Sequence, residues 1–200
     1  MIGWFYSLSR FCIIIFLKIF FRLQQEGKEN IPDNGGFILA SNHVSLLDPL
    51  ILGVISNRRL NYMAKEELFR NFLLSFWLHR VGAFPVKRKA HDVRAIREAL
   101  KRLKSSKPLL MFPEGGRSPN GEILDAQPGA AMLAAHTGVP VLPAFIKGSR
   151  EALAKGSRFL RRTKIIVYFG KPFQINKNKT YQEATERIKS EIVSLGVNTK

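Results

Sequence analysis

Short apolar runs recur along the middle of the chain, at residues 37–40, 60–64, 83–86, 109–112, 139–146 and 165–169. Stretches with helical spacing fall between them, at 49–55, 67–78, 91–103 and 129–136. Strand and helix in turn predict an α/β fold with a largely parallel or mixed central sheet flanked by helices. In such folds reactive groups gather where the loops leave the carboxyl ends of the strands. A last helix is expected over 180–195, where Tyr181, Ala184, Ile188, Ile192 and Leu195 keep near-helical spacing. Residues 176–179 before it read as a solvated connector. Two hundred residues, 46% of them hydrophobic, suit one domain with a sizeable core, expected over 24–200.

Residues 1–23 have a different character. They hold Trp4, Phe5, Tyr6, Phe11, Phe16, Phe20 and Phe21, with Ile13, Ile14 and Ile15 in a row. Arg10, Lys18 and Arg22 interrupt the segment before 18 uncharged apolar residues accumulate, which argues against a spanning helix. On one helix those cations and Ser7 share an arc of about 120°. A basic stripe on an aromatic helix predicts a membrane-interface anchor over 1–23. No basic segment precedes the apolar part and no small-residue cleavage site follows, which disfavours a signal peptide. The 32 Lys+Arg against 15 Asp+Glu give +17, a balance that calls for an anionic surface or substrate. Cys12 is the single cysteine, so no intramolecular disulfide forms, and no Cys/His spacing suits zinc.

The stretch Ser41-Asn42-His43-Val44-Ser45-Leu46-Leu47-Asp48-Pro49 follows the first of these strands. Asp-Pro ahead of an apolar run signals a helix start, with Asp48 as N-cap and Pro49 in the first helical position. His43 then lies in the strand-to-helix loop, which can fold back so that the imidazole meets the carboxylate. A carboxylate on one ring nitrogen fixes the tautomer and leaves the other nitrogen to take a proton. No elbow motif marks a Ser or Cys nucleophile, so the base would act directly on a substrate hydroxyl. A loop histidine beside a plain helix cap is the alternative that these residues leave open.

Three more strand ends carry informative residues. Gly82-Ala83-Phe84-Pro85-Val86 runs into Lys87-Arg88-Lys89, where a guanidinium suits a phosphate through paired hydrogen bonds. Phe112-Pro113-Glu114-Gly115-Gly116-Arg117-Ser118 puts a carboxylate, two glycines and an arginine after a strand, so backbone amides and charges approach a ligand closely. Val139-Pro140-Val141-Leu142-Pro143 is a proline-bracketed strand suited to a pocket wall.

Taken in order, these stretches resemble the 1-acyl-sn-glycerol-3-phosphate acyltransferase family. Its N-H-x-x-x-x-D motif matches Asn42, His43 and Asp48; its second motif ends in an arginine, matching Arg88; its F-P-E-G-x-R-S motif matches Phe112 through Ser118; its fourth matches 139–143. Met63-Ala64-Lys65-Glu66-Glu67-Leu68-Phe69 is also similar to the family's segment between the first two motifs. Gly116 departs from the family, which usually has a hydroxyl residue there, and Val86-Lys87 stands in place of Ile-Asp.

The resemblance implies a glycerolipid-acyltransferase fold and acyl transfer to the 2-hydroxyl of a lysophosphatidic acid, giving phosphatidic acid for phospholipid biosynthesis. His43 would be the base and Asp48 its orienting partner. Arg88 would hold the acceptor phosphate, while Asn42, Glu114, Gly115, Gly116 and Arg117 complete the substrate site. The donor would be acyl-CoA or acyl-carrier protein, with no metal or other cofactor. The expected location is the cytoplasmic face of an anionic membrane. Arg94, Arg97, Lys101 and Lys104 on one helix, and Lys155, Arg158, Arg161, Arg162 and Lys164 around Phe159 and Leu160, suit an anionic leaflet or donor. Another lysolipid or aminolipid acceptor is the runner-up. A nucleic-acid-binding module leaves the glycine-carboxylate motif unused, and a membrane scaffold leaves His43 and Asp48 unused, so no nucleic-acid partner is expected.

Overall fold

The structure, a computed structural model, describes residues 2–87, 92–176 and 178–197, with the side chain of Ile2 left aside. Its centre is a seven-stranded sheet of β1 (Arg22–Glu26), β2 (Ile38–Ser41), β3 (Asn61–Lys65), β4 (Ala83–Val86), β5 (Leu109–Met111), β6 (Val141–Lys147) and β7 (Lys164–Phe169). The spatial order is β1-β7-β6-β2-β5-β3-β4. Every neighbouring pair is parallel except β6 and β7. This is the mixed α/β sheet that the alternation predicted.

Side chains along the strands alternate between two cores, as a period of two requires. Leu39, Leu110, Leu142 and Ala144 pack with Leu17, Ile51 and Leu52, the helices α1 (Ile2–Phe20) and α2 (Asp48–Ile55) covering that face. Ile38, Ala40, Leu109 and Val141 pack on the other face with Ala95, Ala99, Leu103, Leu133, Ile188 and Ile192. The helices there are α4 (Val93–Lys104), α5 (Gly129–Thr137) and α7 (Tyr181–Val197); α3 (Phe72–Arg80) and the single turn α6 (Ser149–Ala152) complete the set. The Asp92 carboxylate caps α4 by accepting from Arg94 and Ala95 N–H, both at 3.1 Å. Thr180 and Glu183 close a reciprocal capping box on α7.

Three expectations need correction. The helix expected over 67–78 is broken: a 3₁₀ turn at Glu66–Phe69 precedes α3, whose start is capped by Asn71 accepting from Leu74 N–H at 3.0 Å. The amino-terminal helix stops at Phe20, and Arg22–Glu26 pairs with β7 as an edge strand. That strand has no apolar run because an edge needs only one row of backbone partners, and Leu23 is its one half-buried side chain. Residue 23, the expected end of the anchor, therefore lies inside the sheet.

The basic stripe is also divided. Arg10 turns inward and donates to Val54 O at 2.7 Å, and Arg22 belongs to β1. Leu17 and Phe21 are buried in the core. The outward stripe is apolar instead: Trp4, Leu8, Phe11, Ile15 and Ile19 are all exposed and share an arc of about 80°. At its side, exposed Phe72, Leu73 and Phe76 of α3 continue the surface through an edge-on contact of Phe76 with Phe5, at 5.8 Å between centroids. Among the described residues no helix is long and apolar enough to cross a membrane.

Candidate active site

β2 is flanked by β5 and β6, and all three run the same way. Their carboxyl ends therefore open on one edge of the sheet, where the loop that follows β2 meets the loops that follow β5 and β6. His43 and Asp48 meet there. His43 Nδ1 lies 2.9 Å from Asp48 Oδ2, and the carboxylate is fully buried. The same oxygen accepts Val44 N–H and Ser45 N–H, each at 2.8 Å. Asp48 is thus not the N-cap: it is the first residue of α2, after Leu47, and its carboxylate turns back onto the loop instead of forward onto its own helix. The loop closes around that single oxygen, and the ring closes with it.

The histidine is held from other directions as well. Its backbone N–H donates to Glu114 Oε1 at 2.7 Å, and its carbonyl accepts Ser118 N–H at 2.8 Å. Phe112 stacks on the imidazole with centroids 4.0 Å apart and planes 16° apart. With Nδ1 engaged on the carboxylate, Nε2 is the nitrogen left to take a proton.

Two residues expected to bind substrate are already committed to backbone groups. Asn42 Nδ2 donates to Ile146 O at 3.0 Å, and its Oδ1 accepts Ile146 N–H at 2.8 Å. Its amide thereby clamps β6 to the end of β2. Glu114 Oε2 accepts Leu124 N–H at 3.0 Å while Oε1 holds His43. Burial raises the Glu114 pKa, with Asp48 adding to the rise and the two backbone donors opposing it. Gly115 turns the chain with φ 65°, a left-handed conformation that favours glycine. Gly116 and Arg117 follow in the same loop, where the Arg117 carbonyl accepts Lys155 Nζ at 3.0 Å. Arg88 and His91 lie outside the described residues; Asp92 accepts Lys87 N–H at 3.0 Å across the gap between them. His79 and His136 bond only carbonyls or a hydroxyl of their own helices and stay at the surface. Among the described residues no group of His, Cys, Asp or Glu is arranged to hold a metal.

Sequence reasoning missed Phe112 and Ser118 as partners of His43. The signal that finds them is strand order, because the β2–β5 register sets Ala40 opposite Met111 and brings the next residues of both loops together.

The profile of the family described as Acyltransferase matches residues 22–147. The chain belongs to the acyltransferase family. Within it, the chain is 32% identical to the 1-acyl-sn-glycerol-3-phosphate acyltransferase of Bacillus subtilis, across 72% of this chain and 70% of that protein. It is 29% identical to the protein of the same description from Streptococcus pneumoniae, across 98% and 75%. The crystal structure of the 1-acyl-sn-glycerophosphate acyltransferase PlsC from Thermotoga maritima superposes with a TM-score of 0.84 at 26% identity, covering all of this chain and 80% of that one. The acyltransferase match spans β1 to β6, so it takes in both loops that hold His43.

Proposed function

We propose that this acyltransferase moves a fatty acyl group from a thioester donor, acyl-CoA or acyl-carrier protein, to the 2-hydroxyl of 1-acyl-glycerol-3-phosphate. The product is phosphatidic acid. The observation that carries this reading is the His43–Asp48 pair, buried at the carboxyl end of the central strand with Nε2 uncommitted. His43 Nε2 takes the hydroxyl proton as the oxygen attacks the thioester carbonyl. The C–S bond breaks, and the proton passes from the imidazolium to the departing thiolate. Asp48 holds the tautomer and stabilises the imidazolium. General-base catalysis of this kind contributes about 10²–10⁴-fold, and positioning supplies more. Arg88 is assigned the acceptor phosphate on its sequence position, with Gly115, Gly116 and Arg117 shaping the same edge. Asn42 and Glu114 are assigned to holding the loops, since their polar atoms are taken. The reaction as written needs no cofactor.

The location proposed is the cytoplasmic membrane surface, with the outward stripe of α1 and Phe72, Leu73 and Phe76 of α3 lying in the interface. The exposed row Arg94, Arg97, Lys101 and Lys104 is on the helix that covers the opposite face of the sheet, and is assigned to the anionic donor. The test is purified protein in anionic micelles, offered both donors and a panel of lysolipids, with products identified by mass. His43→Ala should lose at least about 10²-fold in turnover; a variant within a few-fold of wild type would sink the mechanism.

A further inference from the structure

The end of α1 remote from the catalytic pair gathers cations that acyl transfer does not use. A cavity of about 390 Å³ opens between α1 and the turn that follows α2, with Tyr6, Arg10, Phe11, Asn57, Arg58 and Arg59 in its lining. α2 runs from Asp48 toward it, and its eight residues put the turn about 12 Å from the start of the helix. This is a second place, distinct from the active-site edge.

Three arginines line this cavity, and among the described residues none is paired with a carboxylate. Their hydrogen bonds go to neutral carbonyls. Arg10 donates to Val54 O at 2.7 Å, and Arg59 donates to Arg80 O at 2.6 Å while stacked 4.7 Å from the Tyr6 ring centre. Arg58 reaches the carbonyls of Pro32, Gly35 and Ser106. These bonds place the groups without cancelling their charge. Each guanidinium has five N–H donors, so Arg10 and Arg59 both keep donors for a ligand. Tyr6 supplies no counter-charge: burial raises its pKa against the pull of Arg10 and Arg59, which leaves a neutral hydroxyl at neutral pH. An anion completes such a site, and a planar fork suits phosphate oxygens.

The mouth of the cavity says which anion. Ser7 and Ile14 flank the outward apolar stripe of α1 on the helical wheel, Arg10 turns inward behind them, and Phe11 belongs to both the stripe and the cavity wall. A ligand with a phosphate at one end and hydrocarbon at the other matches both surfaces at once. We propose that this cavity is a socket for the phosphate head group of an anionic phospholipid, seated while its acyl chains lie along the stripe of α1. The proposal rests on the membrane-surface reading above, and it adds a specific lipid contact remote from the reaction.

Binding to phosphatidylcholine vesicles, with and without phosphatidylglycerol, tests it. Two variants keep the net charge: Arg59→Lys loses the fork, and Asn57→Trp fills the cavity. Each should lose about fivefold or more of the affinity gained from phosphatidylglycerol, and neither should change binding to pure phosphatidylcholine. Lys104→Gln, on the opposite face of the sheet, is the control for bulk charge. If both charge-preserving variants keep the full gain, the socket is overturned while the anchor stands. If the wild type binds no vesicle, socket and anchor fall together, and turnover of dispersed substrate still reports on the acyl transfer. Loss of the gain to inorganic phosphate at matched ionic strength would overturn the lipid assignment in favour of a free-phosphate site. Retention of the gain supports the lipid.

Discussion

Glu114→Gln separates positioning from substrate binding. Both carboxylate oxygens accept backbone N–H groups, from His43 at 2.7 Å and from Leu124 at 3.0 Å. Glutamine offers one oxygen, so whichever way the amide turns, an NH₂ group faces one of the two N–H donors. A buried donor left unsatisfied costs about 1–3 kcal/mol. The variant also escapes the burial of a charge that raises the Glu114 pKa, which offsets part of that cost. A folded-state carboxyl pKa above the unfolded value means that the stabilisation is complete below the ordinary glutamate value and fades as pH rises through the raised one. The stability gap between wild type and variant should therefore be widest at acid pH, at about 1–3 kcal/mol, and narrower at neutrality. Either way the fold survives, so kinetics can be read. With one clamp on the catalytic loop lost, kcat should fall roughly tenfold to a hundredfold, with the acceptor KM little changed. Steady-state kinetics with both substrates varied, and thermal unfolding at several pH values, measure both effects. A rise in acceptor KM at unchanged kcat would show that Glu114 touches substrate, and would refute this reasoning.

Other perturbations give distinct signatures. Asp48→Asn removes the charge beside His43 Nδ1 and should lower turnover by about 10²-fold or more, with acceptor binding retained; a loss confined to binding would contradict it. Arg88→Lys should raise the KM for a lysophosphatidic acid much more than that for the donor, whereas Lys87→Ala should do little; equal penalties would make the loop a diffuse basic patch. The double changes Trp4→Ser with Phe11→Ser, and Phe72→Ser with Leu73→Ser, remove exposed apolar groups only. Each pair should reduce flotation with vesicles at unchanged Tm, and normal flotation of both would place the membrane contact elsewhere.

Much of the fold was legible because buried strands in this chain are apolar runs and their helices carry one buried face. The elements that escaped were those whose sequence reports only local exposure. Arg22–Glu26 is polar and becomes a strand because β7 offers it an unpaired edge, a fact about topology that no window of five residues contains. On α1, aromatic and aliphatic residues surround the whole helix, so composition alone did not say which side the core would take. Leu17 and Phe21 went inward with Arg10, and the apolar side Trp4–Leu8–Phe11–Ile15–Ile19 stayed out. For the site, five residues of spacing and a Pro-marked helix start allowed the His43–Asp48 pairing but left a plain loop histidine open, and the family resemblance favoured the pair. The occupation of Asn42 and Glu114 was not legible, since their partners Ile146 and His43 are brought to them by which strands lie beside β2.

That neighbourhood explains why residues far apart in sequence act on one histidine. β2 carries His43 out of the centre of the sheet, where a loop has strands on both sides and can be tied to each. Asn42 ties it to β6, and Glu114 and Ser118 tie it to the loop after β5. Ser45 Oγ then donates to Leu153 O at 2.8 Å, beyond the end of β6. Asp48 gathers the Val44 and Ser45 amides onto the oxygen that also orients the ring. Most of these ties run through backbone groups of this loop, so none of them needs a substrate to form. Under the mechanism proposed above, the ring is set before the acceptor arrives, and free energy of acceptor binding is not needed to assemble the base. An edge strand such as β1 or β4 has only one neighbour and offers no such two-sided support.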